Sequence, residues 1–187
     1  MKRRVFLITG LMAVPFVMGC TPTPYVGPLG REARATLRLA RIDVAAQGTV
    51  FESSLAREYA SRLGPELQAN LRREFADRMD SGGMTVVVEV QRFNLARSLR
   101  TTMGRDQSRL SGTARLLERD GTLVASYPVT VIAGEARGTT VGALATAAVT
   151  TADGYYRSML TDFARETRAA ILGREGPGAR LLRDLSG

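Results

Sequence analysis

Residues 107–133 read QSRLSGTARLLERDGTLVASYPVTVIA and contain the clearest sheet signal in the chain. Alternation of small or apolar with polar residues over Gln107–Leu117 predicts a strand with one buried face and one wet face. The buried set is Leu110, Gly112, Ala114 and Leu116, and the wet set is Arg109, Ser111, Thr113 and Arg115. Asp120-Gly121 is a strong hairpin signal and leads into an apolar strand over 122–133. Pro128 lacks an amide donor, so this strand is predicted at the sheet edge.

Two further strands are predicted upstream of this hairpin. Met84–Leu99 is rich in β-branched residues, and its apolar positions change face near Arg92, which predicts a bulge there. Thr36–Ala45 alternates with apolar residues on both faces, so we predict an inner strand. The last three strands should form a meander, because consecutive elements tend to be neighbours.

Two amphipathic helices are predicted. The first follows the N-cap candidates Ser53 and Ser54 and repeats apolar residues every fourth position: Leu55, Tyr59, Leu63, Leu67, Leu71 and Phe75. Gly64-Pro65 predicts a kink or a new helix start at Pro65. The second helix covers 155–172, ends at Gly173 and places Arg168 on its polar side, and the segment 134–153 before it is predicted as a loop.

The resulting order β-α-β-β-β-α predicts an α+β fold, a two-layer sandwich in which a mainly antiparallel four-stranded sheet carries two helices on one face. We assign residues 35–173 to this single domain. Residues 174–187 contain Gly176, Pro177 and Gly178 and are predicted as a loose tail. Residues 20–34 contain three prolines and are predicted as a flexible tether.

The N-terminus has the architecture of an export signal. Lys2, Arg3 and Arg4 precede a largely apolar run, 5–18, and then Gly19 and Cys20. As a helix, that run would span about 21 Å, short of a hydrocarbon core of roughly 30 Å, so it is not a membrane span. We therefore predict a signal peptide over residues 1–19.

The four residues Val17-Met18-Gly19-Cys20 resemble the lipobox of bacterial lipoproteins, although Met18 stands where a smaller residue is usual. The resemblance implies that Cys20 is lipidated and becomes the first residue of the mature chain. It also implies the periplasmic side of the outer membrane ahead of the inner membrane, because Thr21 replaces the aspartate that commonly marks inner-membrane retention. The alternative for Cys20 is a small packed hydrophobe.

The export route has two interpretations. Arg3-Arg4-Val5-Phe6-Leu7 is similar to the twin-arginine motif, with Lys2 where serine or threonine is usual. An ordinary cationic signal of the general route explains the same residues equally well. Both routes lead out of the cytoplasm.

The chain carries 26 basic and 18 acidic residues and a net charge of +8, which falls to +5 when Lys2, Arg3 and Arg4 are removed with the signal. This balance favours acidic partners such as anionic envelope glycolipid or envelope proteins, and export argues against nucleic acid. Guanidinium groups bind phosphate and carboxylate through paired hydrogen bonds. The candidate anion-binding residues are Arg97, Arg100, Arg105 and Arg109. The alternative is a solvated loop in an arginine-rich chain.

Catalytic chemistry is poorly supported. The sequence has no histidine, one cysteine and no lysine beyond Lys2, so its serines lack the usual activating base. The carboxylate pairs Asp77/Asp80 and Glu118/Asp120 could act as acid and base, although a helix end and a hairpin turn explain them more simply. No calcium-loop spacing occurs. We predict no catalytic residue, no metal site and no cofactor.

The element order behind a lipobox also resembles a broad group of small envelope lipoproteins that serve transport and assembly machines. The resemblance implies a non-catalytic, membrane-anchored binding or assembly component without naming its partner. Two alternatives stay open at this point: an envelope hydrolase that uses carboxylates alone, and a soluble periplasmic protein exported by the twin-arginine or general route.

Replacing Arg97, Arg100 and Arg105 together with glutamine should weaken association with anionic envelope material, because three guanidinium groups are lost. Binding of the purified triple variant, measured across a range of salt concentrations, checks this expectation. Unchanged, salt-independent binding would remove the proposed anion site.

Overall fold

The computed structural model describes residues 28–96, 107–132 and 151–174. The predicted signal peptide, Cys20, most of the tether and all of the tail except Arg174 lie outside these residues. The elements are α1 (Arg31–Thr36), β1 (Leu39–Ala45), β2 (Val50–Phe51), α2 (Ser54–Glu58), α3 (Ala60–Glu74), a 3₁₀ turn (Ala76–Arg78), β3 (Met84–Asn94), β4 (Arg109–Leu117), β5 (Leu123–Ile132) and α4 (Ala152–Leu172).

The described strands form one mixed sheet in the order β1-β3-β4-β5. β3, β4 and β5 make the predicted antiparallel meander, while β1 and the two-residue β2 both pair parallel with β3. The long helices α3 and α4 pack together and against the sheet. The predicted α+β class, with helices on one sheet face, is therefore confirmed, with β2 as an added fifth strand.

The prediction that the first strand is an inner strand is wrong for the described sheet, in which β1 pairs with β3 and lies at the border. A register shift between Leu39 and Arg41 lets both Leu39 and Ile42 point into the core, and this produced the apparent two-sided apolar pattern. Helix α3 interacts with the strand directly: the Gln68 side-chain amide donates to the Ile42 carbonyl oxygen at 2.6 Å.

The predicted bulge in β3 is confirmed. Val90 pairs with Gly112 and Arg92 pairs with the adjacent Ser111, so Gln91 is the extra residue. The bulge returns Phe93 to the face that already buries the valines of β3, and Phe93 is fully buried. A Cβ atom at Gly112 would lie 2.4 Å from the Glu89 carbonyl oxygen, so the facing strand requires glycine at this point.

β5 is an edge strand, as Pro128 predicts. It pairs with β4 along its length, with Pro128 opposite Thr113, and no other described strand lies beside it. The proline removes one amide donor from a strand that a further chain could otherwise extend.

The first long helix begins as predicted and breaks elsewhere. The Ser53 hydroxyl accepts from the Ala56 amide at 3.1 Å and donates to the Leu95 carbonyl oxygen at 3.0 Å. The break falls at Tyr59, between α2 and α3, and Pro65 lies inside α3, so the prediction of a new start at Pro65 is wrong. Pro65 lies in the second turn of α3 and removes one backbone hydrogen bond from the helix. Burial of the apolar face of α3 compensates for this loss.

Helix α4 begins three residues before the predicted start. The Thr151 hydroxyl accepts from the Gly154 amide at 3.2 Å, so Thr151 is its N-cap. The end of the predicted loop 134–153 is therefore helical, and residues 134–150 of it lie outside the described residues. Gly173, with φ of +88°, ends the helix as predicted.

The packed chain begins ahead of the predicted domain start at residue 35. The Leu29 amide donates to the Tyr127 hydroxyl at 3.0 Å, and Arg34 Nε donates to the Leu29 carbonyl oxygen at 2.7 Å. α1 follows from a run free of proline and glycine, Arg31–Thr36, which favours a helix. Nine residue steps therefore connect Cys20 to Leu29, which is hydrogen-bonded to the domain.

Gly112→Ala should lower the free energy of unfolding by about 1–3 kcal/mol, because the new Cβ forces the β3 backbone away at the bulge. Gly64→Ala is the matched control: its Cβ would lie 3.6 Å from the Ala46 Cβ, within a helix. Gly64→Ala should raise the free energy of unfolding by about 0.5–1 kcal/mol, because alanine favours the helix more than glycine does. Urea unfolding of both variants checks the opposite signs, and equal effects would contradict the close approach at Gly112.

Candidate functional site

Of the predicted site residues, only Arg109 lies within the described residues; Cys20, Arg97, Arg100 and Arg105 lie outside them. Arg109 is the first residue of β4, is exposed, and pairs with Asn94 of β3 and Ile132 of β5. It therefore stands at one end of the sheet, opposite the β4–β5 hairpin.

The chain that carries the other three arginines leaves and rejoins the sheet beside Arg109. The Asn94 side-chain amide donates to the Gln107 carbonyl oxygen at 2.9 Å. The Ala96 amide donates to the hydroxyl of the buried Ser108 at 2.8 Å. These two bonds join the described residues on either side of segment 97–106, so both ends of that segment meet the sheet at the Arg109 end.

The wet face predicted for β4 is the sheet face away from the helices. Its charged groups interact with one another: Arg115 contacts Glu89 at 2.8 Å and Arg41 contacts Asp43 at 2.6 Å. The Gln91 side-chain amide donates to the Thr113 hydroxyl at 3.1 Å. Pairing of these charges leaves the centre of this face close to neutral, unlike the basic chain as a whole.

A cavity of about 720 Å³ lies at the hairpin end of the sheet. Its walls come from α1, from the turn before β3 and from the turn between β4 and β5, with Leu37 and Met84 among its apolar lining. The Arg119 guanidinium donates to the Gly82 carbonyl oxygen and joins the two turns. α1 has no buried residue, so its side chains line the cavity without filling it.

The candidate carboxylate Asp77 is half of an ion pair. Its two oxygens accept from the Arg168 guanidinium at 2.7 and 2.9 Å. Arg168 is 4% exposed, donates also to the Glu74 carbonyl oxygen at 2.8 Å, and lies 5.6 Å from the centre of the Phe75 ring. The pair ties the end of α3 to α4.

The prediction that Arg168 lies on the polar side of its helix is therefore wrong. α4 packs against both the sheet and α3, so its buried surface is wider than one stripe. A second buried row along α4 consists of Leu160, Ala164 and Arg168, which recur every four residues. This spacing is the sequence signal that could have indicated the burial of Arg168.

One member of each predicted carboxylate pair has a lowered pKa. Hydrogen bonding from Arg168, opposed in part by burial, holds the pKa of Asp77 below its ordinary value. The Thr122 amide, which donates to Asp120 at 2.9 Å, lowers the pKa of the Asp120 carboxyl. A general acid that works near neutral pH needs a raised pKa, so the shifts of Asp77 and Asp120 do not suit either residue to that role.

Two tyrosines form a buried contact between α4 and the helix break before α3. The Tyr59 and Tyr156 rings are stacked with centres 4.2 Å apart, and the Arg62 guanidinium lies 5.4 and 5.6 Å from the two ring centres. Burial raises the pKa of both phenols, so they stay protonated at neutral pH. Their position in the core explains them as packing residues.

Within residues 28–96, 107–132 and 151–174, no group of three or more His, Cys, Asp or Glu side chains could hold a metal ion. No helix among these residues is both long and apolar enough to cross a membrane.

Two solved structures are distantly similar to the chain. No protein family matches the chain, and no curated protein is similar to it. A minor lipoprotein from Acinetobacter baumannii of solved structure is 14% identical, with a TM-score of 0.40, over 72% of this chain and 90% of that one. A second solved structure, of an uncharacterized protein, is also 14% identical, with a TM-score of 0.30, over 76% of this chain and 95% of that one. Neither similarity is close enough to transfer a function.

Asp77→Asn should lower the free energy of unfolding at pH 7 by about 1–2 kcal/mol, because it weakens two charge-assisted hydrogen bonds between the buried Arg168 and a carboxylate that is itself partly exposed. Asp162→Asn is the matched control, since Asp162 pairs with Arg165 at 3.5 Å on the surface and should contribute under about 0.5 kcal/mol. Urea unfolding at pH 7 checks the difference. Equal, small effects would contradict a stabilising role for the Asp77–Arg168 pair.

The same pair predicts a dependence of stability on pH. Since the folded-state pKa of Asp77 is depressed, its contribution is complete above the unfolded-state pKa, near the ordinary value of 3.8, and is lost as the pH falls through the folded-state pKa. The unfolding free energy of Asp77→Asn should therefore fall less than that of the wild type upon acidification below that value. Parallel pH profiles would contradict this assignment.

Proposed function

We propose that the protein is a bacterial envelope lipoprotein, anchored through lipid on Cys20, whose domain acts as a non-catalytic binding or assembly component. The observation that carries the proposal is the end of the export signal at Val17-Met18-Gly19-Cys20, with the chain's only cysteine in the lipobox position. Two or more acyl chains on one residue give stable membrane anchoring, which a single chain does not.

The described residues support the non-catalytic part of the proposal. Histidine is absent from the sequence, and Asp77 is occupied by the ion pair that joins two helices. The acids at the hairpin end serve local turns: Asp80 accepts from the Gly82 amide at 2.7 Å, and Asp120 from the Thr122 amide. A carboxylate-dependent hydrolase would need two acids that converge on one cleft. Asp80, Glu118 and Asp120 line the cavity at the hairpin end, but all three are exposed, and Asp80 and Asp120 accept from amides of their own turns.

The surface supports a binding role. Arg109 is exposed at the sheet end, where the chain bearing Arg97, Arg100 and Arg105 meets the fold, and arginine is the residue best suited to paired hydrogen bonds with phosphate or carboxylate. We place the protein on the periplasmic side of the outer membrane, because Thr21 follows the proposed lipidation site in place of aspartate. Its partners on this proposal are the membrane and an anionic envelope component.

Cys20→Ala should abolish lipid attachment, because no other residue in the chain supplies a thiol. The native protein should partition into the detergent phase, and its intact mass should include the acyl groups; the variant should show neither property. Thr23→Ala, three residues beyond the lipobox cysteine, is the control and should behave as the wild type.

An unmodified thiol, or a mature chain that begins at another residue, would contradict the anchor and favour a soluble periplasmic protein. Hydrolysis of envelope polymers by the purified domain, abolished by Asp77→Asn or Asp120→Asn, would instead favour the hydrolase.

A further inference from the structure

We propose that the C-terminal segment 179–185 of the same chain docks in the cavity at the hairpin end of the sheet, with Leu181, Leu182 and Leu185 on its apolar lining. The inference goes beyond the proposed function and does not depend on the lipid anchor at Cys20. For this segment it replaces the sequence-based expectation of a loose tail.

The cavity has the size and the lining of a docking site. Its volume of about 720 Å³ lies within the range of about 300–1,000 Å³ that is usual for pockets that take up a ligand. Ala33, Leu37 and Met84 belong to its apolar lining. An apolar occupant would therefore remove this lining from water.

One wall of the cavity is the short helix α1, which has little to hold it in place. None of its six residues is buried, and an isolated helix of this length is marginal in water. Ala33 and Thr36 of α1 line the cavity. A segment packed in the cavity would cover these two residues and stabilise α1.

The segment 179–185 has the residue pattern of such an occupant. It reads ARLLRDL, and helical spacing puts the three leucines on one face and the charged residues on the other: Leu181, Leu182 and Leu185 against Arg180, Arg183 and Asp184. Among the described residues, the exposed large apolar side chains are Val50 and Met79. A contiguous apolar stripe is a contact surface rather than ordinary surface composition.

The end of α4 places this segment next to the cavity. Arg34 Nη1 lies 3.5 Å from the Cβ position of Gly173, and Arg34 Nε donates to the carbonyl oxygen of the cavity residue Leu29 at 2.7 Å. Six residue steps from Gly173 to Ala179 span up to about 20 Å, and the intervening 176–178, Gly-Pro-Gly, favours a turn back toward α1. A connection this short gives the segment an effective concentration on the order of millimolar at the cavity.

The charges of the cavity and of the segment are complementary. The lining is net acidic, because three carboxylates oppose two arginines: Asp80, Glu118 and Asp120 against Arg38 and Arg119. The segment is net basic, with two arginines and one aspartate. With its leucines toward the apolar lining, the segment presents its arginines toward the exposed border of the cavity, where opposite charges attract them.

Amide hydrogen exchange in the purified full chain tests the proposal. Exchange is followed by mass spectrometry, and a synthetic peptide of residues 174–187 is the unprotected reference. Docking should slow the exchange of the amides of residues 180–185 by about tenfold or more relative to the peptide, because docked amides exchange only when the segment opens.

Two variants on α1 form a matched pair. Ala33→Arg should reduce the protection of residues 180–185 by about threefold or more, because a long cationic side chain then enters the cavity and repels the arginines of the segment. Ala35→Arg adds the same side chain to the same helix at an exposed position that does not line the cavity, so protection should be unchanged. Leu181→Ser combined with Leu182→Ser should also remove the protection, without any change in the residues that line the cavity.

Four results would overturn the proposal. The first is exchange of residues 180–185 at the rate of the free peptide. The second is protection that Ala33→Arg leaves unchanged, or that both α1 variants reduce equally, since the segment would then lie elsewhere or depend on α1 alone. The third is protection that disappears upon tenfold dilution, which would assign the segment to a second copy. The fourth is protection of residues 21–27 in place of 180–185, which would assign the cavity to the tether.

Discussion

The pairing of β3 with three other strands is the constraint on which the rest of the structure depends. β3 must keep one apolar face toward the helices over eleven residues while β1 and β2 pair along one side and β4 along the other. The extra residue Gln91 makes this arrangement work, because it restores Phe93 to the buried face after Val90. Gly112 allows the neighbouring backbone to approach at that point, so bulge and glycine form one unit.

Much of the fold could be predicted from local patterns. The meander, the bulge near Arg92, the edge position of β5 and the Ser53 cap each follow from a signal confined to a few neighbouring residues. The errors have a different origin. Burial of both Leu39 and Ile42 depends on a register shift against β3, and the helix break at Tyr59 accompanies stacking of its ring on Tyr156, nearly a hundred residues away. Tertiary contacts of this kind leave no local signal.

The same distinction applies to the candidate site. A charged residue on a helix is normally solvated, so Arg168 appeared to belong to the polar side of α4. Its burial depends on Asp77 and on the carbonyl oxygen of Glu74, both brought to it by the packing of α3 against α4. The predicted export signal and the arginines around residue 100 are contiguous patterns outside the described residues, so both stay predictions. Arg109 is the exception, because its exposure and its place in the sheet are defined.

The two borders of the sheet also affect contacts between copies of this chain, which the proposed lipid anchor would confine to one surface. Confinement raises the frequency with which neighbouring copies collide, and exposed strand borders are where such copies would polymerise. Here the Gln68 amide occupies a backbone oxygen of β1, and Pro128 interrupts the row of donors along β5. Both features disfavour the addition of a strand from another copy at either border of the described sheet.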